Sequence, residues 1–146
     1  YNYIMKQEKY VDGFVIVVPK EKLSAYKKDA KFGAKLWMKY GALDYKECIG
    51  DDLNAEWIKF TFPKMTKLKE DEVVVFSYIT FESKAHRNKV NKLVMSDPSM
   101  QGMEDKEMPM DMKRFAYGGF KIIVDGKKTS YEWTIQQEEI DIEQHA

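Results

Sequence analysis

The sequence predicts an α+β domain of the ferredoxin-like type: a βαββαβ sheet with two helices on one face, pairing with a second copy into a dimeric α/β barrel. Three observations carry that expectation. Two short runs dense in β-branched and aromatic residues, 10–18 (YVDGFVIVV) and 72–81 (EVVVFSYITF), are each followed by a stretch of helical period. A further apolar strand signal closes each half, so that the order is β-α-β twice over. The strong strands are apolar at both alternating sets of positions, whereas a sheet with one face in water alternates apolar and polar residues. The face without helices therefore needs a cover, and a second copy of the same sheet supplies it.

The first strand is too short for a helix and is closed by Pro19. Between residues 20 and 40, Leu23, Tyr26, Ala30, Ala34 and Trp37 recur at three- and four-residue intervals, and Gly41 supplies a stop. Residues 42–49 (ALDYKECI) alternate as a second strand and end in the turn signal Gly50-Asp51-Asp52, after which residues 57–62 (WIKFTF) are expected to extend the sheet. After the third strand, Ser83 offers an N-cap for a helix to about Met95, which Asp97-Pro98 ends. Residues 100–113 lack any period and read as a loop, and residues 115–124 (FAYGGFKIIV) form the last strand, interrupted by a bulge or a close approach of two chains at Gly118-Gly119. The domain is thus expected over residues 10–125, with extensions at 1–9 and 126–146.

A chain of 146 residues with 44% hydrophobic content can bury a core without disulfide or metal staples. Its single cysteine, Cys48, has no partner in the chain, no apolar run approaches the roughly 20 residues of a bilayer span, and no secretory signal is visible. A cytoplasmic protein with no membrane partner is the expectation, Met5 being a natural start. Basic and acidic residues balance at 24 each, so no global field attracts nucleic acid and none is expected as a partner.

The segments YVDGFVIVVPK, GALDYKECIGDD, DEVVVFSYITFESKAHRN, VMSDPSM and MPMDMKRFAYGGFKIIV, in this order, make the chain similar to the YbaA-like family of uncharacterised bacterial proteins, within the dimeric α/β-barrel superfamily. The resemblance spans residues 10–125, most of the chain, and leaves the C-terminal extension unexplained. It implies a homodimer with a pocket between sheet and helices, as in cofactor-independent monooxygenases and haem-handling proteins of that superfamily. It does not assign a reaction.

The candidate pocket residues are Tyr78, His86, Asp111, Arg114 and Tyr117. His86 shares a helical stripe with Val90, Leu93 and Val94, which makes it either an interior acid-base group or a core histidine bonded to backbone. Asp111, Lys113, Arg114 and Tyr117 can fix an anionic ligand or form a structural salt bridge. Met95, Met100, Met103, Met108, Met110 and Met112 resemble a soft thioether set, though methionine also fills irregular gaps beneath loops. Neither a second domain histidine nor a reactive cysteine motif accompanies His86, so no metal site and no cofactor are expected. The leading reading is a homodimer that binds a small molecule; the alternatives are a cofactor-independent monooxygenase-like or isomerase-like enzyme and a non-catalytic dimerisation or protein-interaction module. One further expectation concerns the extension. Phe32, Leu36 and Tyr40 form a second stripe on the first helix, beside Lys27, Lys28, Lys31 and Lys35, and the acidic, apolar residues 128–142 complement it.

Overall fold

The computed structural model describes residues 8–127 and 130–145, with the backbone alone for 130–134. The chain forms β1 (Tyr10–Pro19), α1 (Leu23–Lys39), β2 (Asp44–Ile49), α2 (Phe62–Thr66), β3 (Glu72–Phe81), α3 (Lys84–Met95), β4 (Ala116–Lys121) and α4 (Ser130–His145). The four strands make one antiparallel sheet in the order β2-β3-β1-β4. This is the α+β, ferredoxin-like arrangement. β1 pairs with β3 along its whole length, from Tyr10 opposite Phe81 to Pro19 opposite Glu72.

Local chemistry sets the helix ends. Gly41, at φ +111°, ends α1 in a paired closure: its N–H bonds the Met38 carbonyl, and the Ala42 N–H bonds that of Trp37 at 3.0 Å. At the start of α3 the Ser83 hydroxyl accepts from the His86 N–H at 3.0 Å, while His86 Nδ1 accepts from the Glu82 N–H at the same distance. The imidazole thus stands where a capping box usually places glutamate or glutamine. After α3, Asp97 accepts from the Ser99 N–H at 2.9 Å and from the hydroxyls of Ser99 and Tyr40.

Those bonds, the Ser99 hydroxyl first and the Tyr40 hydroxyl next, hold the Asp97 carboxyl well below the usual carboxylate range. A depressed folded pKa means that the unfolded chain takes up the proton first on acidification. The stabilisation is therefore complete above the unfolded value of about 4 and is lost as the pH falls below it. Asp97→Asn is expected to be less stable than the wild type at pH 7, with the gap closing below pH ~4; urea midpoints measured across that range check it.

The helix-facing side of the sheet holds the core. Tyr10, Ile79 and Phe81 pack against Leu36 of α1 and Val90 and Val94 of α3, and Ile16, Val18 and Val75 pack against Tyr26 of α1. Leu36 and Tyr40, from the second α1 stripe, are thereby used by α3 and by Asp97. Phe32 and Tyr40 of that stripe remain partly exposed, and the side chains of Tyr131 and Trp133, on which the expected packing of the extension depends, lie outside the described residues. Lys128 and Thr129 lie outside the described residues, and α4 leaves Ile142 exposed.

Two further expectations are corrected. Residues 57–62 do not extend the sheet: Thr61 caps α2, and Pro63 in its first turn suits a helix start and lacks the N–H that a ladder requires. Trp57 is left 83% exposed. Nor do Gly118 and Gly119 interrupt the last strand, since both pair in regular register with Gly13 and Asp12. Their missing side chains make room for two rings of the same chain, Phe120 over Gly118 and Tyr10 over Gly119, where an added Cβ would collide with the Tyr10 hydroxyl.

The opposite face of the sheet carries Val11, Val15, Phe76, Tyr78, Ala116 and Phe120. Leu53 and Phe62 lie beside its Val74 end, but Phe76 is 45% and Phe120 58% exposed. Among the described residues no helix is long and apolar enough to cross a membrane.

Candidate functional site

Between α1 and the sheet lies a cavity of about 260 Å³. Its floor is Phe14 and Ile16 of β1, Ser77 and Ile79 of β3, and Tyr45 and Glu47 of β2, residues that the strand register puts on one face. Tyr26, Gly33 and Trp37 of α1 form the wall. Gly33 is required there, because a Cβ would stand 2.9 Å from the Tyr45 hydroxyl. The roof is the loop after α3, which turns Met100, Met103, Met108, Met110 and Met112 toward the space together with Phe115. These are the flexible, polarizable side chains suited to close over an irregular volume.

The roof is fastened at several points. The Asp111 N–H bonds the Val17 carbonyl at 3.0 Å, and Lys106 pairs with Asp29 of α1. Arg114 spends its donors on four partners: Asp111 at 2.7 Å, both oxygens of the buried Glu72, and the carbonyls of Lys67 at 3.1 Å and Thr66 at 3.3 Å. Arg114 and the backbone N–H of Lys69 hold Glu72 below its ordinary pKa, and Arg114 with the Lys113 N–H does the same for Asp111.

At the mouth stands Glu47. Its two oxygens accept one hydroxyl each, from Tyr26 at 2.6 Å and Tyr45 at 3.0 Å. Burial first, and the adjacent Glu47 carboxylate second, push both phenols well above their usual pKa, so they remain donors at every physiological pH. Trp37 packs against Tyr45 with ring centroids 6.3 Å apart, and its indole N–H donates to Asn91 Oδ1 at 3.0 Å.

A second polar cluster lies under α3. Asp12, 2% exposed near the start of β1, accepts from Arg87 at 2.8 Å; Arg87 also donates to the Tyr117 hydroxyl at 2.7 Å and lies over the Tyr10 ring. Burial pushes the Asp12 carboxyl up, and Arg87 opposes that shift.

The five residues read from the sequence are dispersed. Tyr78 lies on the opposite face of the sheet, 6.0 Å from Phe76 ring to ring. His86 caps α3 edge-on to Phe81, Asp111 and Arg114 anchor the cavity roof, and Tyr117 belongs to the Asp12 cluster. None of the five lines the cavity. Two signals marked the residues that do the polar work. Tyr45 and Glu47, two apart on a strand, must share a face, and an aspartate inside YVDGFVIVV needs a buried cationic partner. Among the described residues no group of three or more His, Cys, Asp or Glu is placed to hold a metal ion.

Comparison with known proteins gives the following relationships. A family model described as a protein of unknown function, DUF1428, matches residues 9–112. The uncharacterized protein YbaA of Escherichia coli K12 is 43% identical over 117 residues, covering 80% of this chain and 98% of YbaA, and the YbaA protein of Shigella flexneri matches to the same extent. The crystal structure of a dimeric ferredoxin-like protein from an uncultured marine organism superposes with a TM-score of 0.53 at 9% identity, covering 82% of this chain and all of that one.

Proposed function

The chain belongs to the DUF1428 family of proteins of unknown function, and from that premise we propose that it is a small-molecule binding protein working as a homodimer inside the cell. The observation that carries this reading is the cavity between α1 and the sheet. At about 260 Å³ it exceeds the roughly 150 Å³ that admits a benzene ring, and its apolar lining with a few polar groups at one end is the usual make-up of a ligand site. Asp111 and Arg114 serve it indirectly, by anchoring the loop that carries Met110 and Met112. The exposed apolar face of the sheet, and the description of the ferredoxin-like neighbour as dimeric, support pairing through that face into a dimeric α/β barrel. The free, exposed Cys48 fits a reducing compartment.

A fragment set of single-ring aromatics and short-chain amines, acids and alcohols tests the reading by thermal shift. A fragment present at 100 times its dissociation constant stabilises by about 2.7 kcal/mol, which raises the Tm of a domain this size by roughly 9 °C. Trp37 emission is expected to change in parallel. Ser77→Leu, which projects methyl groups into the cavity from its buried floor, is expected to abolish both responses. Wild type and Ser77→Leu responding alike would remove the cavity as the site.

A further inference from the structure

We infer that the ligand of this cavity carries a positive charge, an amine or quaternary ammonium on a compact apolar body, and that Glu47 receives it. The inference rests on the cavity being a binding site and adds what kind of molecule it takes. A carboxylate offers about four lone-pair positions. Tyr26 and Tyr45 occupy one on each Glu47 oxygen, which fixes the group in orientation without neutralising it. Among the described residues no lysine or arginine forms a salt bridge with Glu47. The two lysines that line the cavity are committed elsewhere, Lys46 to Asp44 and Lys106 to Asp29. Lys27 and Lys31 border the groove on the outer side of Glu47 without closing an ion pair with it.

The aromatic part of the lining points the same way. Tyr26 and Tyr45 meet the carboxylate, Trp37 packs against Tyr45, and all three line the cavity; an aromatic face attracts a cation by about 0.5–2 kcal/mol, more as water is excluded. An anionic ligand would meet the Glu47 charge at the mouth and no free cation within. A neutral ligand would gain nothing from the Glu47 charge.

Four matched probes decide the question: 2-phenylethylamine, benzyltrimethylammonium, 2-phenylethanol and 3-phenylpropionate, titrated by calorimetry into the full chain and into Glu47→Gln. The expected result is that both cations bind the wild type at least tenfold more tightly than the alcohol or the acid. Glu47→Gln should bring the cations down to the affinity of the alcohol while leaving alcohol binding unchanged, which also shows that the variant is folded. If the alcohol or the acid binds the wild type as well as the cations do, the charge inference is overturned and the cavity reading survives. Cations that bind tightly to both proteins would overturn the role of Glu47. If none of the four binds, and Ser77→Leu responds like the wild type to the fragment set, the cavity reading falls and this inference with it.

Discussion

Arg87→Ala is expected to lower the stability of the protein by about 3–5 kcal/mol at pH 7, because it leaves a carboxylate buried without its counter-charge. Asp12 has only 2% of its surface exposed, and the Arg87 guanidinium stands 2.8 Å from it. The same side chain donates to Tyr117 and lies 4.8 Å from the Tyr10 ring centre, so the substitution also empties space between α3 and β1. The sign of the pH dependence identifies the cause. Burial already pushes the Asp12 carboxyl up, and removing Arg87 removes the foremost of the groups that oppose it, leaving Tyr117 and Asn91. With its folded pKa above the unfolded value, native Asp12 holds a proton over a window in which the unfolded chain has released it. Stability therefore falls as the pH rises through that window and is recovered on acidification toward about pH 4. The deficit of Arg87→Ala relative to the wild type should accordingly shrink between pH 7 and pH 5 in denaturant titrations. Asp12→Leu combined with Arg87→Met, which removes both charges, should lie within about 2 kcal/mol of the wild type. A deficit under 1 kcal/mol for Arg87→Ala, unchanged with pH, would mean that the pair behaves as an exposed salt bridge.

Phe76→Glu together with Phe120→Glu is expected to convert a dimer at micromolar concentration into a monomer, with the dissociation constant raised at least 100-fold. Both rings lie on the face of the sheet opposite α1 and α3, on β3 and β4 to either side of β1. Phe76 packs with Tyr78, and Phe120 lies over Gly13 and Gly118, whose missing side chains let it spread flat. Aromatic residues in the centre of an interface commonly contribute about 2 kcal/mol or more each, and two carboxylates facing their own copies across a dyad add repulsion. Sedimentation equilibrium measures it directly. A wild-type protein that is monomeric at tens of micromolar would overturn the pairing. The double variant should keep its far-ultraviolet circular dichroism, since neither side chain belongs to the buried core.

Much of the fold was legible because its signals are local. Ser83 and the helical period that follows place α3 where the structure has it, and Gly41 ends α1, since capping and positive φ depend on a few consecutive residues. The double-sided apolar character of β1 and β3 correctly announced a sheet whose second face retains large apolar side chains. Residues 57–62 misled because their alternation has the strand period, while Thr61 and Pro63 supply the local chemistry of a helix start. The candidate site was less legible. Arg114 and Asp111 read equally as ligand donors or as a structural salt bridge until the fold brought Glu72, 42 positions away in the chain, against the same guanidinium.

The sequence by itself determined the α+β class, the order of the four strands with α1 and α3 between them, the ends of those two helices, and the excess of apolar surface for one face of one sheet. Each follows from periodicity or capping over a short stretch of chain. Only the tertiary structure decided where the space is. Packing Gly33 of α1 against Tyr45 of β2, laying the methionine loop across both, and joining Tyr26 to Glu47 over 21 residues and Arg87 to Asp12 over 75 are contacts between distant segments. A cavity is the volume that such contacts leave unfilled, so it has no period to read, and a charge reveals whether it is paired or waiting for a ligand only when its neighbours in space are known.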